Sequence, residues 1–274
     1  PPAHPGARRR AHALAVSVNF AGESVGAAPT MTCRQAVLLA AGAGRRLGRR
    51  MDSRPKCLAE VAGTPIVDNL CEILESIGVE ELVVVTGHLH DVLVNHLRRM
   101  NRRLVFRFVE NPDYRTTNNI YSLWLARELI APPFMLLESD LFVERAVLEP
   151  LVEPDRLIVS AYTGEMNGTG VEVSAHGEVT RLVLGAHMAG EDRTSLRKTV
   201  NLSSFSRSTW CEHFEPAMRE YIEAGALNHF YEDALGRCIH AGAVRVTAVD
   251  VTGRKWAEID TPDDLARAEA MFLS

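Results

Sequence analysis

Long apolar runs are absent from this 274-residue chain, and with them any segment long enough to cross a bilayer, so no membrane partner is expected. Paired cysteine spacings are absent too. The five cysteines, Cys33, Cys57, Cys71, Cys211 and Cys238, are odd in number, scattered and without a C-x-x-C pair. Neither a zinc site nor a disulfide framework is therefore expected, and a reducing cytoplasm suits the chain best. Positive charge does not dominate: the formal net charge of −5 argues against a general nucleic-acid binder. The hydrophobic and charged fractions, 46% and 24%, are those of a globular protein, and the length suits one α/β domain with an excursion.

What the chain does have is a glycine loop placed behind a strand. Ala36 to Leu39 form a short apolar run of the kind that makes a buried parallel strand, and it ends in Ala40, Ala41, Gly42, Ala43 and Gly44. A loop with almost no side chains lets several backbone N–H groups converge on one anion. Arg45, Arg46, Arg49, Arg50, Arg54 and Lys56 add positive charge within a few residues. Two familiar phosphate loops do not fit. The dinucleotide fingerprint needs a glycine where Leu47 stands, with Gly48 one place late, and no G-K-S or G-K-T closes a P-loop.

The pattern that remains is L-A-A-G-x-G-x-R-L over Leu39 to Leu47, followed by Pro55-Lys56-Cys57-Leu58. It resembles the signature of the sugar-nucleotidyltransferase superfamily, which joins a nucleoside triphosphate to a phosphorylated acceptor and releases pyrophosphate. The resemblance implies catalytic roles for Arg46 and Lys56, on the triphosphate and the acceptor's anionic group. It also implies nucleotide contacts along Leu39, Ala41, Gly42, Ala43 and Gly44. The alternative from the residues alone is a solvated basic loop after an ordinary α/β strand.

Strand and helix patterns alternate from this point, which predicts a Rossmann-like, mostly parallel sheet with helices on both faces. Thr64-Pro65 is expected to cap a helix ending near Ile77 with Gly78 as its stop. Strands are expected over Glu81 to Thr86 and Leu104 to Val109, with a helix from about Leu89 to Met100 between them. Pyrimidine recognition is assigned to the glycine loop and to the turn from Thr86 and Gly87 to Leu89. Residues 1–32, rich in proline and arginine, are expected to be a disordered tail ahead of a single domain over 33–274.

The segment Asn111-Pro112-Asp113-Tyr114 through Asn118-Asn119-Ile120-Tyr121-Ser122-Leu123 resembles a stretch of bacterial phosphocholine cytidylyltransferases and their phosphonate-directed relatives. There it borders nucleotide and acceptor, which implies a nucleotide role for Asn118 and an acceptor role for Asn119. Phe134 to Glu138 reads as a buried strand delivering Glu138-Ser139-Asp140 at its carboxyl end, where open α/β sheets place ligands. The family carries D-x-D or a variant at this point. By resemblance Ser139 faces the nucleotide, and Asp140 binds Mg2+ with Asp260 of Glu258-Ile259-Asp260-Thr261 as second ligand. Thr261, Pro262, Asp263 and Asp264 start the last helix, so Asp260 is not needed for its cap.

From about 156 to 205 the strand-helix rhythm lapses into strands at Leu157 to Tyr162, Gly170 to Ser174 and Glu178 to Leu184, and again at Lys198 to Leu202. This is expected to be a small β-rich, acceptor-binding excursion. The run Lys198-Thr199-Val200-Asn201 resembles the phosphonate enzymes more than the choline enzymes, which implicates Lys198 and Asn201 in holding the acceptor. A solvated strand-end lysine is the alternative for Lys198. No aromatic residue falls in Glu165 to Val173 to hold a quaternary ammonium. Met166-Asn167-Gly168-Thr169 carries an asparagine where aminoethylphosphonate enzymes tend to have aspartate, so Asn167 suits a neutral-headed phosphonate.

The expectation is a CTP-dependent cytidylyltransferase acting on a hydroxyalkyl- or aminoethylphosphonate, with a homodimer left open. A phospho-alcohol or sugar-1-phosphate enzyme, or a nucleotide-binding module without turnover, are the alternatives.

Overall fold

The computed structural model describes residues 32–48, 53–163, 166–188 and 191–274. The tail expected at the start, apart from residue 32, and Arg49 and Arg50 of the basic run lie outside the described residues. The chain runs β1 (Gln35–Ala40), β2 (Glu60–Val61), β3 (Thr64–Pro65), α1 (Ile66–Ser76), β4 (Glu81–Thr86), α2 (His90–Arg99), β5 (Val105–Glu110), α3 (Asn119–Ala126) and β6 (Phe134–Glu138). It continues through β7 (Leu141–Val143), α4 (Arg145–Leu148), β8 (Arg156–Ala161), β9 (Gly170–Val173), β10 (Val179–Val183) and β11 (Arg197–Phe205). Last come α5 (Glu215–Glu223), α6 (Tyr231–His240), β12 (Thr247–Asp250), β13 (Trp256–Glu258) and α7 (Pro262–Leu273).

All six residues of β1 are buried, as a strand covered on both faces requires. Alternate side chains divide between two cores. Ala36, Leu38 and Ala40 join Leu82, Val84, Met135 and Leu137 under α1, α2 and α7, whose Leu70, Leu97 and Ala268 lie in the same cluster. Val37 and Leu39 join Val83, Val85, Phe134 and Leu136 beneath α3, α5 and α6, with Ile120, Met218 and Leu235. Each fully buried valine or leucine contributes on the order of 1.5–3 kcal/mol, so the central strand is held from both sides.

The main sheet is mixed. β1 pairs in parallel with β4 on one side and β6 on the other, and β5 extends the parallel set beyond β4. The strand sequence therefore reverses direction at β1, and the crevice at its carboxyl end is a topological switch point, where such sheets bind ligands. β11 then joins β6 antiparallel and carries β9, β10 and β8. The strands expected as an excursion thus continue the same sheet.

Thr64 is not a helix cap. It lies in β3, which pairs with β2 across a turn at Ala62 and Gly63, both with positive φ, as a two-residue hairpin of this kind demands. The first amide of α1 donates instead to the Ala59 carbonyl at 3.0 Å, so the hairpin backbone replaces the threonine side chain. At the other end of the chain Thr261 does cap α7, and Asp264 closes the capping box by accepting from the Thr261 amide at 2.7 Å.

Candidate active site

The glycine loop leaves β1 into the switch-point crevice, and Lys56 comes back under it. Gly44 has φ +58, and a Cβ there would stand 2.8 Å from the Lys56 Cβ, so only glycine lets the lysine pass. Pro55 is extended and starts a single 3₁₀ turn over Lys56–Leu58, which aims the lysine into the crevice. Asp140 follows β6 directly. Asp260 arrives by another route: β13 pairs antiparallel with β7, Ile259 donates its amide to the Asp140 carbonyl at 2.9 Å, and the Asp260 amide donates to Asp264 Oδ2 at 3.1 Å.

The two aspartates meet at Lys56, whose Nζ donates to Asp140 Oδ2 at 2.7 Å and to Asp260 Oδ1 at 2.6 Å. Arg46 Nη2 lies 2.8 Å from the same Asp260 oxygen. Burial works against the charge on Lys56, but the two carboxylates overcome it and raise the ammonium's pKa. Asp140 Oδ1 is buried with no hydrogen-bond partner. Such an orphaned carboxylate oxygen suits a divalent cation. No group of three or more metal-binding side chains occurs among the described residues. A cation here would take two protein carboxylates and complete its shell from phosphates and water, as Mg2+ does readily.

Two hollows flank this point. A cleft of about 600 Å³ is lined by Leu39, Ala41, Gly42, Gly44, Asn118 and Ser139, among others, and by Asn119, Lys56 and Asp140. A second hollow of about 980 Å³ lies against β13 and α7, where Asn167, Lys198 and Thr163 face it. Arg46, Gly168, Glu258 and Asp260 line both. Asn201 reaches the first cleft because β11 breaks register between Thr199 and Ser203 and Asn201 adopts φ +57 in the break.

Three expected nucleotide contacts fall elsewhere. Thr86 is fully buried, bonded through Oγ1 to His90 Nδ1 at 2.6 Å and to the Val109 carbonyl at 3.1 Å, and does not line the cleft. Gly87 packs under the loop: a Cβ there would lie 2.8 Å from the Ala41 carbonyl oxygen. His88 then donates its amide to that oxygen at 3.1 Å, so this turn braces the glycine loop. Ala43 lines a small outer hollow of about 300 Å³ beside His88 and Tyr114.

Lys198 is not a solvated lysine. Its side chain is 1% exposed, with Nζ 2.7 Å from the Thr199 carbonyl and 3.3 Å from Glu258 Oε2. Gly168, at φ +105, lies so close that a Cβ would be 2.9 Å from that Nζ.

Sequence reasoning left out three acids on these walls. Asn119 donates through Nδ2 to Glu138 Oε1 at 3.1 Å and to Glu232 Oε2 at 3.3 Å, and accepts from the Tyr231 amide at 2.9 Å. Burial pushes Glu138 well above the usual carboxylate range, with Asp140 and Glu232 adding to it, and lifts Glu232 to about 7. Glu258 is also raised, by burial first, with Lys198 pulling the other way. The signal for Glu232 was present in Tyr231-Glu232-Asp233, where an acid in a first helical turn reads as ordinary dipole complementarity.

The glycine loop at the switch point and two remote carboxylates converging over a lysine thus meet in one crevice. The MobA-like NTP transferase domain matches residues 36–220, and the chain belongs to that family. It is 35% identical over 250 residues to a CMP-5'-(3-aminopropyl)phosphonate synthase of Streptomyces rubellomurinus, covering 90% of this chain and 40% of that protein. It is 26% identical over 234 residues to a 2-aminoethylphosphonate cytidylyltransferase of Lancefieldella rimae, covering 84% of this chain and 90% of that one. The chain spans about half or less of the length of several curated relatives it matches. Among solved structures, the CTP:phosphocholine cytidylyltransferase of Streptococcus pneumoniae shares the fold with a TM-score of 0.74 at 20% identity, over 87% of this chain and 99% of that one. No helix among the described residues is long and apolar enough to cross a membrane.

Proposed function

We propose that this chain transfers a cytidylyl group from CTP to the phosphonate oxygen of a small organophosphonate and releases pyrophosphate. The observation that carries this is the convergence of Asp140 and Lys56, in the first cleft, with Asp260 and Arg46, which line both hollows. One hollow takes the nucleotide and the other the acceptor, and the reacting atoms meet between them. The relatives named for phosphonate cytidylyl transfer support the substrate pair.

Both reactants are anions, so the chemical problem is charge and alignment. The acceptor oxygen is already ionised, and no general base is required. It attacks the α-phosphorus in line, forming one P–O bond while the bond to the β-phosphate breaks. The amides of Gly42 to Gly44 cradle the triphosphate, and Arg46 and Lys56 stabilise charge that builds on the departing pyrophosphate. Mg2+, when bound by Asp140 and Asp260, supplies Lewis-acid polarisation of the phosphoryl group. Lys198 faces the acceptor's hollow, while Asn201, expected to hold the acceptor, lines the nucleotide cleft instead.

The acids facing the second hollow support a neutral head group, because most are already engaged. Glu258 pairs with Lys198, Asp260 with Lys56 and Arg46, and Asp264 with the α7 cap, while Asp263 is exposed to water. Asn167 adds an uncharged amide to the lining. All five thiols are unpaired, which supports the cytoplasm as the place of reaction.

A pyrophosphate-release screen crossing four nucleotides with phosphonates and phospho-alcohols tests the reading. Turnover is expected with CTP, and faster with 2-hydroxyethylphosphonate than with 2-aminoethylphosphonate. A strong preference for the amine overturns the head-group assignment, and turnover confined to sugar phosphates overturns the acceptor class.

A further inference from the structure

Lys56 stands between the two carboxylates proposed to hold a divalent cation, and the role inferred for it rests on that assignment. Its ammonium touches both at 2.7 and 2.6 Å, its side chain is only 12% exposed, and Arg46 lies 2.8 Å from the same Asp260 oxygen. Two carboxylates, one ammonium and one guanidinium leave this point locally neutral. A divalent ion arriving alone would enter contact distance of two cations in a confined cleft, where screening is weaker than in bulk water.

We propose that Lys56 is a placeholder cation: it occupies the metal site of the empty protein and yields it only when a nucleotide's phosphates offer the ammonium a new partner. The lysine can make that exchange because its stem is flexible while its base is fixed. The Pro55 turn and the close contact with Gly44 hold the Cα and Cβ, and the rest of the four-carbon side chain can carry Nζ from carboxylate to phosphate. Asp140 Oδ1, buried and unpaired beside the lysine, is the oxygen that gains most when a metal replaces the ammonium. Metal and nucleotide thus enter as a linked pair, and each raises the protein's affinity for the other.

Binding of Mn2+ alone, followed by electron paramagnetic resonance and calorimetry, separates the possibilities. Lys56→Met should bind Mn2+ at least about tenfold more tightly than the unaltered chain, and adding Asp260→Asn should abolish the gain. Lys56→Gln, which keeps a donor to the carboxylates, guards against a methionine variant that misfolds and should show the same gain. In the unaltered chain, CTP should raise Mn2+ affinity beyond what chelation by free CTP explains. Equal Mn2+ affinity in the unaltered chain and both lysine variants, lost on Asp260→Asn, overturns the placeholder and leaves the metal site standing. Failure of every form to bind Mn2+, with or without CTP, overturns the metal site itself.

Discussion

The two sides of the sheet, one paired in parallel and the other antiparallel, bring different groups to the crevice. On the parallel side, β6, β1, β4 and β5 end together, and their carboxyl ends present backbone: the glycine loop, its brace at Gly87, and Ser139. On the antiparallel side, β11 presents side chains, Lys198 toward the second hollow and Asn201, from a register break, toward the first. Backbone suits a triphosphate, since every nucleotide carries the same phosphates and amides need no specificity. Side chains suit an acceptor, whose head group must be told from others. Charge is balanced locally as well. The parallel side meets Asp140 and Asp260 with Lys56 and Arg46, while the antiparallel side meets Glu258 with Lys198.

The sharpest way to break this division is at its seam. Asp140→Asn and Asp260→Asn should each lower kcat for pyrophosphate release by about 10²–10³-fold, with far-ultraviolet circular dichroism unchanged. Next come the two glycines that hug lysines, one on each side. Gly44→Ala and Gly168→Ala each force a Cβ to within 2.8 and 2.9 Å of a lysine atom at positive φ, and should cost about 1–3 kcal/mol in urea melts. Gly44→Ala should raise KM for CTP and leave the acceptor's KM in place, and Gly168→Ala should do the reverse. If both variants move the same constant, the two hollows do not serve separate substrates.

A smaller effect concerns pH. Glu232 binds its proton up to about pH 7 in the folded protein because it is buried, whereas the unfolded chain releases that proton near the ordinary glutamate value. At this group the folded state therefore holds more protons between those limits, so the contribution of Glu232 to stability falls as pH rises through that window. Glu232→Gln should flatten the profile and be more stable than the unaltered chain at pH 8, by on the order of 1–3 kcal/mol, measured by thermal melts from pH 4.5 to 8. The smallest contrast is between two threonines that look alike in sequence. Thr261→Ala should cost about 1 kcal/mol through loss of the α7 cap, and Thr64→Ala less than about 0.5 kcal/mol, since the Ala59 carbonyl serves α1.

Those threonines also mark how far sequence reading reaches. Both precede proline at the start of an apolar period, but Asp264 stands third after Thr261 and closes a capping box, where Val67 stands third after Thr64. Ala62 and Gly63, just before Thr64, add a turn that makes a hairpin and supplies α1 with a carbonyl. Thr86 and Gly87 were legible as a strand end and a turn, yet their side of the loop is decided by packing against Ala41. Lys198 read in sequence as either an acceptor contact or a solvated strand-end lysine, and its burial depends on β9 and Gly168 closing over it.

The amino-acid order by itself determined the alternation of strands and helices, the glycine loop behind β1, and the acids at the ends of β6 and β13, because periodicity and turn chemistry act within a few residues. Only the tertiary structure decided that Lys56 bridges Asp140 and Asp260, that Asn119 ties Glu138 to Glu232, and that Arg46, Gly168, Glu258 and Asp260 form a wall common to two hollows. Those contacts join segments remote in sequence, fixed by pairing between β7 and β13 and by which charges the closed fold leaves without water.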